Sequence, residues 1–346
     1  MGFTINTTGA GTPLPNSPAV TLSADPIEPF FHLFTTPLRI QLIGLTGSGK
    51  TTLSGELIDF LFQHYRQRTI YFNIDRGTPQ WMEEYVKRNI VLEYRLNLRD
   101  PFIWIDRAAK GLLPVGDQWV PIPPAANVGL VVFDSGTGVF EEQLQGIRHS
   151  QATALPIGPK AYSFAVTEGD QDITVGTVDK SHYGIVQGRI VDAMWESQKL
   201  PYHVIWTANI RLVDRDKDGK LPTENKEPVL GADLGGRALA GISARWFTHT
   251  FSLIRHSQLN SPNIHRLYVD AHLNQQMGMN QVIGNARVPL RGGGVEGVEV
   301  PQYIEPASLV RALSVLARRQ ESFAKDMDAR FVLTDEERDL KRRLGI

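Results

Sequence analysis

Arg39-Ile40-Gln41-Leu42-Ile43-Gly44-Leu45-Thr46-Gly47-Ser48-Gly49-Lys50-Thr51-Thr52 is the stretch on which the reading of this chain turns. Residues 44–51 match G-x-x-x-x-G-K-[ST] in full. They follow an apolar run that reads as a strand and open Thr51–Arg66, which carries helical spacing. Gly44, Gly47 and Gly49 let the backbone curl so that successive N–H groups point at one anion, and the helix N-terminus adds its positive end. Such a loop cradles a polyphosphate. Gly44, Thr46, Gly47, Ser48, Gly49, Lys50, Thr51 and Thr52 are the expected binding residues, with Lys50 bridging the β and γ phosphates and the Thr51 hydroxyl on Mg²⁺. The competing reading is a glycine-rich turn with an incidental lysine. The agreement of strand, motif and helix argues against it.

Around this loop the composition is that of an ordinary globular chain. Of 346 residues, 42% are hydrophobic and 21% charged, which excludes global disorder. The length allows one large domain with appendages or two modest ones. There is no cysteine, which removes disulfides, thiolate metal sites and cysteine nucleophiles. The balance of 36 Lys+Arg against 37 Asp+Glu excludes a generally basic coat for nucleic acid or membrane. Residues 1–18 lack the basic region and apolar run of a leader peptide, and Asn6 stands where myristoylation would want Ser or Thr. No apolar stretch approaches the ~20 residues that span a bilayer. The expectation is therefore no membrane partner and a cytoplasmic location.

Leu38–Ile43, Thr69–Ile74, Gly129–Phe133, Tyr202–Thr207, Phe247–Ile254 and His265–Val269 read as strands. Thr51–Arg66, Pro79–Arg88, Phe140–Arg148 and Tyr183–Lys199 read as helices between them. This alternation predicts an α/β fold with a mainly parallel sheet covered on both faces. Two excursions, the Pro-rich Asp100–Ala126 and the acid-ended Ala152–Lys180, read as interruptions. The division expected is a flexible N-terminal arm or strap over residues 1–36, a core domain over 37–291, and a C-terminal helical tail over 292–346.

Two acids complete the phosphate chemistry. Asp134 ends the buried-type strand Gly129–Phe133 and is followed by Ser135 and Gly136. At the carboxyl end of a parallel strand it would face the loop and hold the metal with Thr51. Its alternative role is the N-cap of Phe140–Arg148. Asp75 ends the strand after the loop helix, where a carboxylate can polarise an attacking water; its alternative is a cap for the helix near Pro79.

These blocks resemble the RecA-like P-loop ATPase core. More narrowly they resemble the phage AAA-type nucleotide-binding proteins that include single-strand annealing ATPases. Val204-Ile205-Trp206-Thr207-Ala208-Asn209, Gly235-Gly236-Arg237-Ala238-Leu239, Arg245-Trp246-Phe247, Leu267-Tyr268-Val269 and Gly284-Asn285-Ala286-Arg287-Val288-Pro289 are similar to that group's later blocks. The resemblance covers roughly residues 38–290. It implies Mg²⁺-dependent ATP binding and hydrolysis, with Lys50, Asp75 and Asp134 catalytic. It also implies a homo-oligomeric ring or filament in which Arg287, or Arg245, reaches a neighbour's γ-phosphate. The biology implied is phage-type DNA recombination or annealing on single-stranded DNA. A packaging or virion-assembly ATPase and a nucleotide-binding regulatory module stand as alternatives. Two residues depart from the group: Asp75 where it usually has Glu, and Asn209 where it usually has His.

Other signals are weaker. Asp214-Arg215-Asp216-Lys217-Asp218-Gly219 begins like a calcium loop, but Asn225 stands at the twelfth position where a bidentate Glu belongs. A solvated turn closed by Gly219 is the competing reading. No N-K-x-D follows the loop at a sensible distance, which favours adenine over guanine by elimination. From Arg237 to Arg291 there are six arginines and one acid, Asp270, a local +5 within a chain of net charge −1. Arginine's bidentate fork suits phosphates, so this segment is the candidate strand-binding face, or alternatively serves a subunit interface or solubility. Glu168, Asp170, Asp172 and Asp179 make the loop after Asp134 acidic.

Overall fold

The computed structural model describes residues 27–74 except 35, 80–95, 106–144 except 109, 116–117, 124–125 and 142, 163–168, 171–176, 180–213, 229–235, 243–256, 264–269, 285–286, 303–330, and 336, 339, 342 and 343. In chain order the elements are β1 (Arg39–Gly44), α1 (Lys50–Tyr65), β2 (Arg68–Asn73), α2 (Gln80–Lys87), β3 (Val91–Arg95), β4 (Leu112–Val115), β5 (Gln118–Pro121), β6 (Val128–Asp134), β7 (Ser163–Glu168), β8 (Gln171–Gly176), α3 (Lys180–Ser197), β9 (His203–Val213), β10 (Val229–Ala232), β11 (His249–His256), β12 (Ile264–Tyr268), β13 (Asn285–Ala286), β14 (Tyr303–Ile304) and α4 (Leu309–Arg330).

The main sheet runs β14-β12-β11-β1-β9-β6-β2-β3. From β11 through β3 every neighbouring pair is parallel, while β12, β13, β14 and β10 add antiparallel margins. Strand β9 lies between β1 and β6, so the loop strand and the Asp134 strand are not neighbours. A P-loop strand parted by one strand from the strand bearing the acid makes this a RecA-like α/β fold. The six strands read from sequence are all present. β3, the β4–β5 and β7–β8 hairpins, β10, β13 and β14 are additions, and both hairpins lie in the segments read as interruptions.

Both faces of the sheet are covered, which is why its strands are near-continuous apolar runs rather than alternating ones. On one face Ile40, Leu42, Leu130, Val132, Ile205 and Phe251 pack with Leu57 and Leu61 of α1 and with Leu309, Leu313 and Leu316 of α4. The first turns of the C-terminal helix are thus built into the core beside the loop helix. On the other face Ile43, Ile70, Val131 and Val204 meet Val186, Ile190 and Met194 of α3. Phe72, Phe133 and Trp206, on three adjacent strands, stack at centroid distances of 5.0 and 4.4 Å. Phe30 and Phe31 are buried against Phe60, so the end of the N-terminal segment straps onto α1; residues 1–26 of the expected arm lie outside the described residues.

Polar bonds fix where β1 and β9 start. The buried Arg39 guanidinium donates to the main-chain carbonyls of Gln198 (2.7 Å), Leu200 (2.5 Å) and Tyr202 (2.5 Å), and burial lowers its pKa. Beside it, the Leu38 N–H donates to His203 Nδ1 at 3.0 Å. Burial, aided by the Arg39 charge, pushes the His203 pKa down from 6.5 to about 4. The folded chain therefore holds this ring neutral where the unfolded chain would protonate it. The stabilisation is complete above pH 6.5 and is lost as pH falls towards 4, to an extent of about 3 kcal/mol. Urea melts between pH 7 and 4 should show this slope, and His203→Asn, which keeps an acceptor but does not titrate, should flatten it. An unchanged slope in that variant would exclude His203 as its source.

Candidate functional site

The loop, Asp134 and Asn209 are carried by β1, β6 and β9, with Tyr71 reaching in from β2. Residues 44–49 turn tightly, with the Ser48 N–H donating to the Leu45 carbonyl at 3.0 Å. Gly47 and Gly49 have φ of 74° and 101°, the left-handed region that favours glycine. Gly44 is required for a different reason: a Cβ there would lie 2.7 Å from the Leu253 carbonyl oxygen, a main-chain atom that cannot move aside. Gly49 immediately precedes the first turn of α1, so the orphan N–H groups of that turn open onto the loop.

The Lys50 side chain is nearly buried and folds over its own loop. Nζ donates to the Gly44 and Leu45 carbonyls at 3.0 and 3.1 Å and to Asn209 Oδ1 at 3.0 Å. Asn209 stands opposite Gly44 across the β1–β9 pair. Its own N–H donates to Thr137 Oγ1 at 2.9 Å, and its carbonyl accepts from the Asp233 N–H at 2.7 Å. The asparagine that departs from the resembling group is therefore the side chain that meets the lysine.

Asp134 gathers three hydroxyl donors. Thr51 Oγ1 donates to Oδ2 at 2.8 Å, Tyr71 also donates to Oδ2, and Thr207 donates to Oδ1. Thr207 comes from the intervening strand β9, which is how the carboxylate is oriented across the gap between β6 and the loop. The alternative role as a helix cap is not the one Asp134 plays. Ser135 Oγ accepts the Gly138 N–H at 3.1 Å, and the helical segment begins at residue 136 rather than 140. Glycines at 136 and 138 mask this start in the sequence. Tyr71 belongs to no motif, and Thr207 stands in the Val204–Asn209 block with no role assigned from sequence. Their one signal is a hydroxyl set between apolar residues of a buried strand.

Further out, Asn73 is in register with Asp134 and donates through Nδ2 to Glu93 Oε1 on β3 at 2.8 Å. The Ile74 N–H donates to the Asp134 carbonyl, at the last residue described before Asp75. Asp75 and Arg287 lie outside the described residues, as do Arg237 and Arg291 and the calcium-like stretch 214–225. Arg245 is placed by its backbone in the 3₁₀ turn Ser243–Trp246, and its side chain lies outside what is described. On the far side of the loop, His265 Nδ1 lies 2.8 Å from the Ser48 carbonyl.

Chemically, this is an anion-receiving loop with a cation folded across it and an all-oxygen pair at its base. A hydroxyl and a carboxylate 2.8 Å apart fit a hard divalent cation such as Mg²⁺, which takes oxygen ligands. No helix among the described residues is long and apolar enough to cross a membrane.

No protein-family model matches the chain. Among curated proteins, a 48-residue stretch is 42% identical to the signal recognition particle protein of Mycoplasma genitalium; it covers 14% of this chain and 11% of the relative. The chain thus spans about a tenth of that relative's length. Among solved structures, a KaiC-like protein from Pyrococcus horikoshii OT3 is 13% identical with a TM-score of 0.35, over 71% of this chain and 79% of that one. Neither likeness assigns an activity, and the fold rests on the chain's own strand order and loop.

Proposed function

We propose that the chain is a Mg²⁺-dependent ATPase. The observation that carries this reading is the Thr51–Asp134 bond of 2.8 Å at the base of a full phosphate loop whose lysine is held by Asn209. The loop N–H groups and Lys50 would receive the phosphates, an oxygen of the γ-phosphate competing with the Gly44 and Leu45 carbonyls for the ammonium. Thr51 and Asp134 would hold the metal, which when bound neutralises charge on the phosphates. Tyr71 and Thr207 keep the carboxylate aimed. Asp75 is assigned the orienting of the attacking water, and Arg287, or Arg245, the role of a finger on a neighbour's γ-phosphate in a ring or filament. Adenine is favoured over guanine by the absence of a base-reading N-K-x-D motif.

On the finer level we assign the chain to single-stranded DNA in recombination or annealing, in the cytoplasm. The support is the concentration of charge, with a local +5 over residues 237–291 in a chain of net −1. Packaging or a regulatory module with little turnover are the outcomes to be separated. Steady-state ATP hydrolysis with and without single-stranded DNA, at 50 and 200 mM salt, distinguishes them. Stimulation that fades at the higher salt is expected, whereas turnover indifferent to DNA at both would end the DNA assignment and leave the ATPase intact. In the same assay, an Asp75→Asn chain with unchanged turnover would remove Asp75 from its role.

A further inference from the structure

Ser48 and His265 are 217 positions apart in the chain, yet they meet at 2.8 Å. The contact exists because β11 is parallel to β1 with Leu253 beside Gly44, and β12 returns antiparallel with His265 opposite Arg255. His265 is thereby delivered beyond the end of β1, on the outer side of the loop. A Cβ placed on Gly49 would lie 3.9 Å from His265 Nδ1 and 3.8 Å from Leu253 Cδ2, so the ring and the leucine wall the loop on this side. The histidine is fixed from behind as well, its carbonyl accepting the Ala307 N–H at 2.9 Å. Beyond Ala307, Ser308 Oγ and the Leu309 N–H both donate to Glu56 of α1, the latter at 2.8 Å.

A carbonyl oxygen only accepts, so His265 Nδ1 must be the protonated ring nitrogen and the donor in this bond. The Ser48–Gly49 peptide is trans. Its N–H and C=O therefore point in opposite directions within one rigid plane. A ring that holds the Ser48 carbonyl holds the Gly49 N–H in the opposite direction, away from His265. Gly49 sits at φ 101°, and glycine's freedom at such a position leaves the orientation of this peptide to be set by an external partner.

We infer that His265 is a positioning residue for the phosphate loop: its Nδ1–H fixes the Ser48–Gly49 peptide so that the Gly49 N–H is preset for a phosphate oxygen. Through Ala307, Ser308 and Glu56, the same contact ties the C-terminal helix to the site. The inference rests on the nucleotide reading above. The class of ligand it serves is a nucleoside di- or triphosphate.

The test is equilibrium binding of ATP to the full chain, together with steady-state turnover. His265→Ala should weaken ATP binding and raise KM by about five- to tenfold, the scale of one hydrogen bond, with kcat at saturation within about twofold. His265→Asn carries its Nδ2 donor on Cγ, where histidine carries Nδ1, and should recover most of the loss. His265→Leu fills the space without a donor, should match the alanine variant, and serves in its place if that variant misfolds. Asn behaving no better than Leu, or wild-type affinity in Ala and Leu, would overturn the inference while the ATPase reading stands. A wild-type chain that binds no ATP takes both down together.

Discussion

Asp134→Asn is expected to lower ATP turnover by about 100-fold or more while the chain stays folded. The substitution preserves the shape of the side chain but replaces one acceptor oxygen by an NH₂ donor and removes the charge. Thr51, Tyr71 and Thr207 all donate to this carboxylate in the wild type, so an amide must set a donor against at least one of them. Rotating a hydroxyl can relieve that conflict. The anionic oxygen that a hard cation needs is not restored by any such rotation. Thr207→Val and Tyr71→Phe leave the carboxylate in place and remove only its orienting partners, for which a loss of about tenfold is expected. The ordering of the three variants is the informative result. Asp134→Asn turning over like wild type would remove Asp134 from the metal site, whereas Thr207→Val as damaging as Asp134→Asn would mean that packing, not charge, carries the effect. Thermal melts of all three separate loss of chemistry from loss of fold.

The loop, the strand before it, the helix after it and Asp134 are legible because each is written in contiguous residues: eight for the motif, one apolar run for each strand. The strands themselves announce their burial. What stays hidden depends on chain segments meeting at long range. Thr207 is just a threonine in Val-Ile-Trp-Thr-Ala-Asn until β9 is known to part β1 from β6. Asn209 reads as a departure from a pattern until its register with Gly44 places it on Lys50. His265 is one histidine among nine until the antiparallel return of β12 brings it to Ser48. The β4–β5 hairpin is hidden by Pro114 and Pro121, which read as loop in sequence but are tolerated in an isolated two-stranded ribbon. The helical tail is legible as a helix. Its role as part of the core is not, since Leu309, Leu313 and Leu316 find their partners on α1 more than 240 positions earlier.

Lys50 carries the largest predicted effect. Its ammonium is held in the loop by two carbonyls and Asn209, all at 3.0–3.1 Å. Lys50→Ala deletes the charge that offsets the phosphates and leaves the glycine geometry and the Thr51–Asp134 pair untouched. Turnover should fall by about 1,000-fold, the scale expected when a positioned donor to a developing charge is removed. The melting temperature should move by only a few degrees, because the ammonium's bonds to Gly44, Leu45 and Asn209 lie within the loop and on β9 beside it, and both core faces stay intact. The most direct measurement is therefore Mg²⁺-dependent ATP hydrolysis by the purified chain and by its Lys50→Ala variant, side by side. Turnover in the wild type that vanishes in the variant is the predicted result. Equal turnover in both, or none in a folded wild type, would contradict the assignment of this loop as an ATPase site.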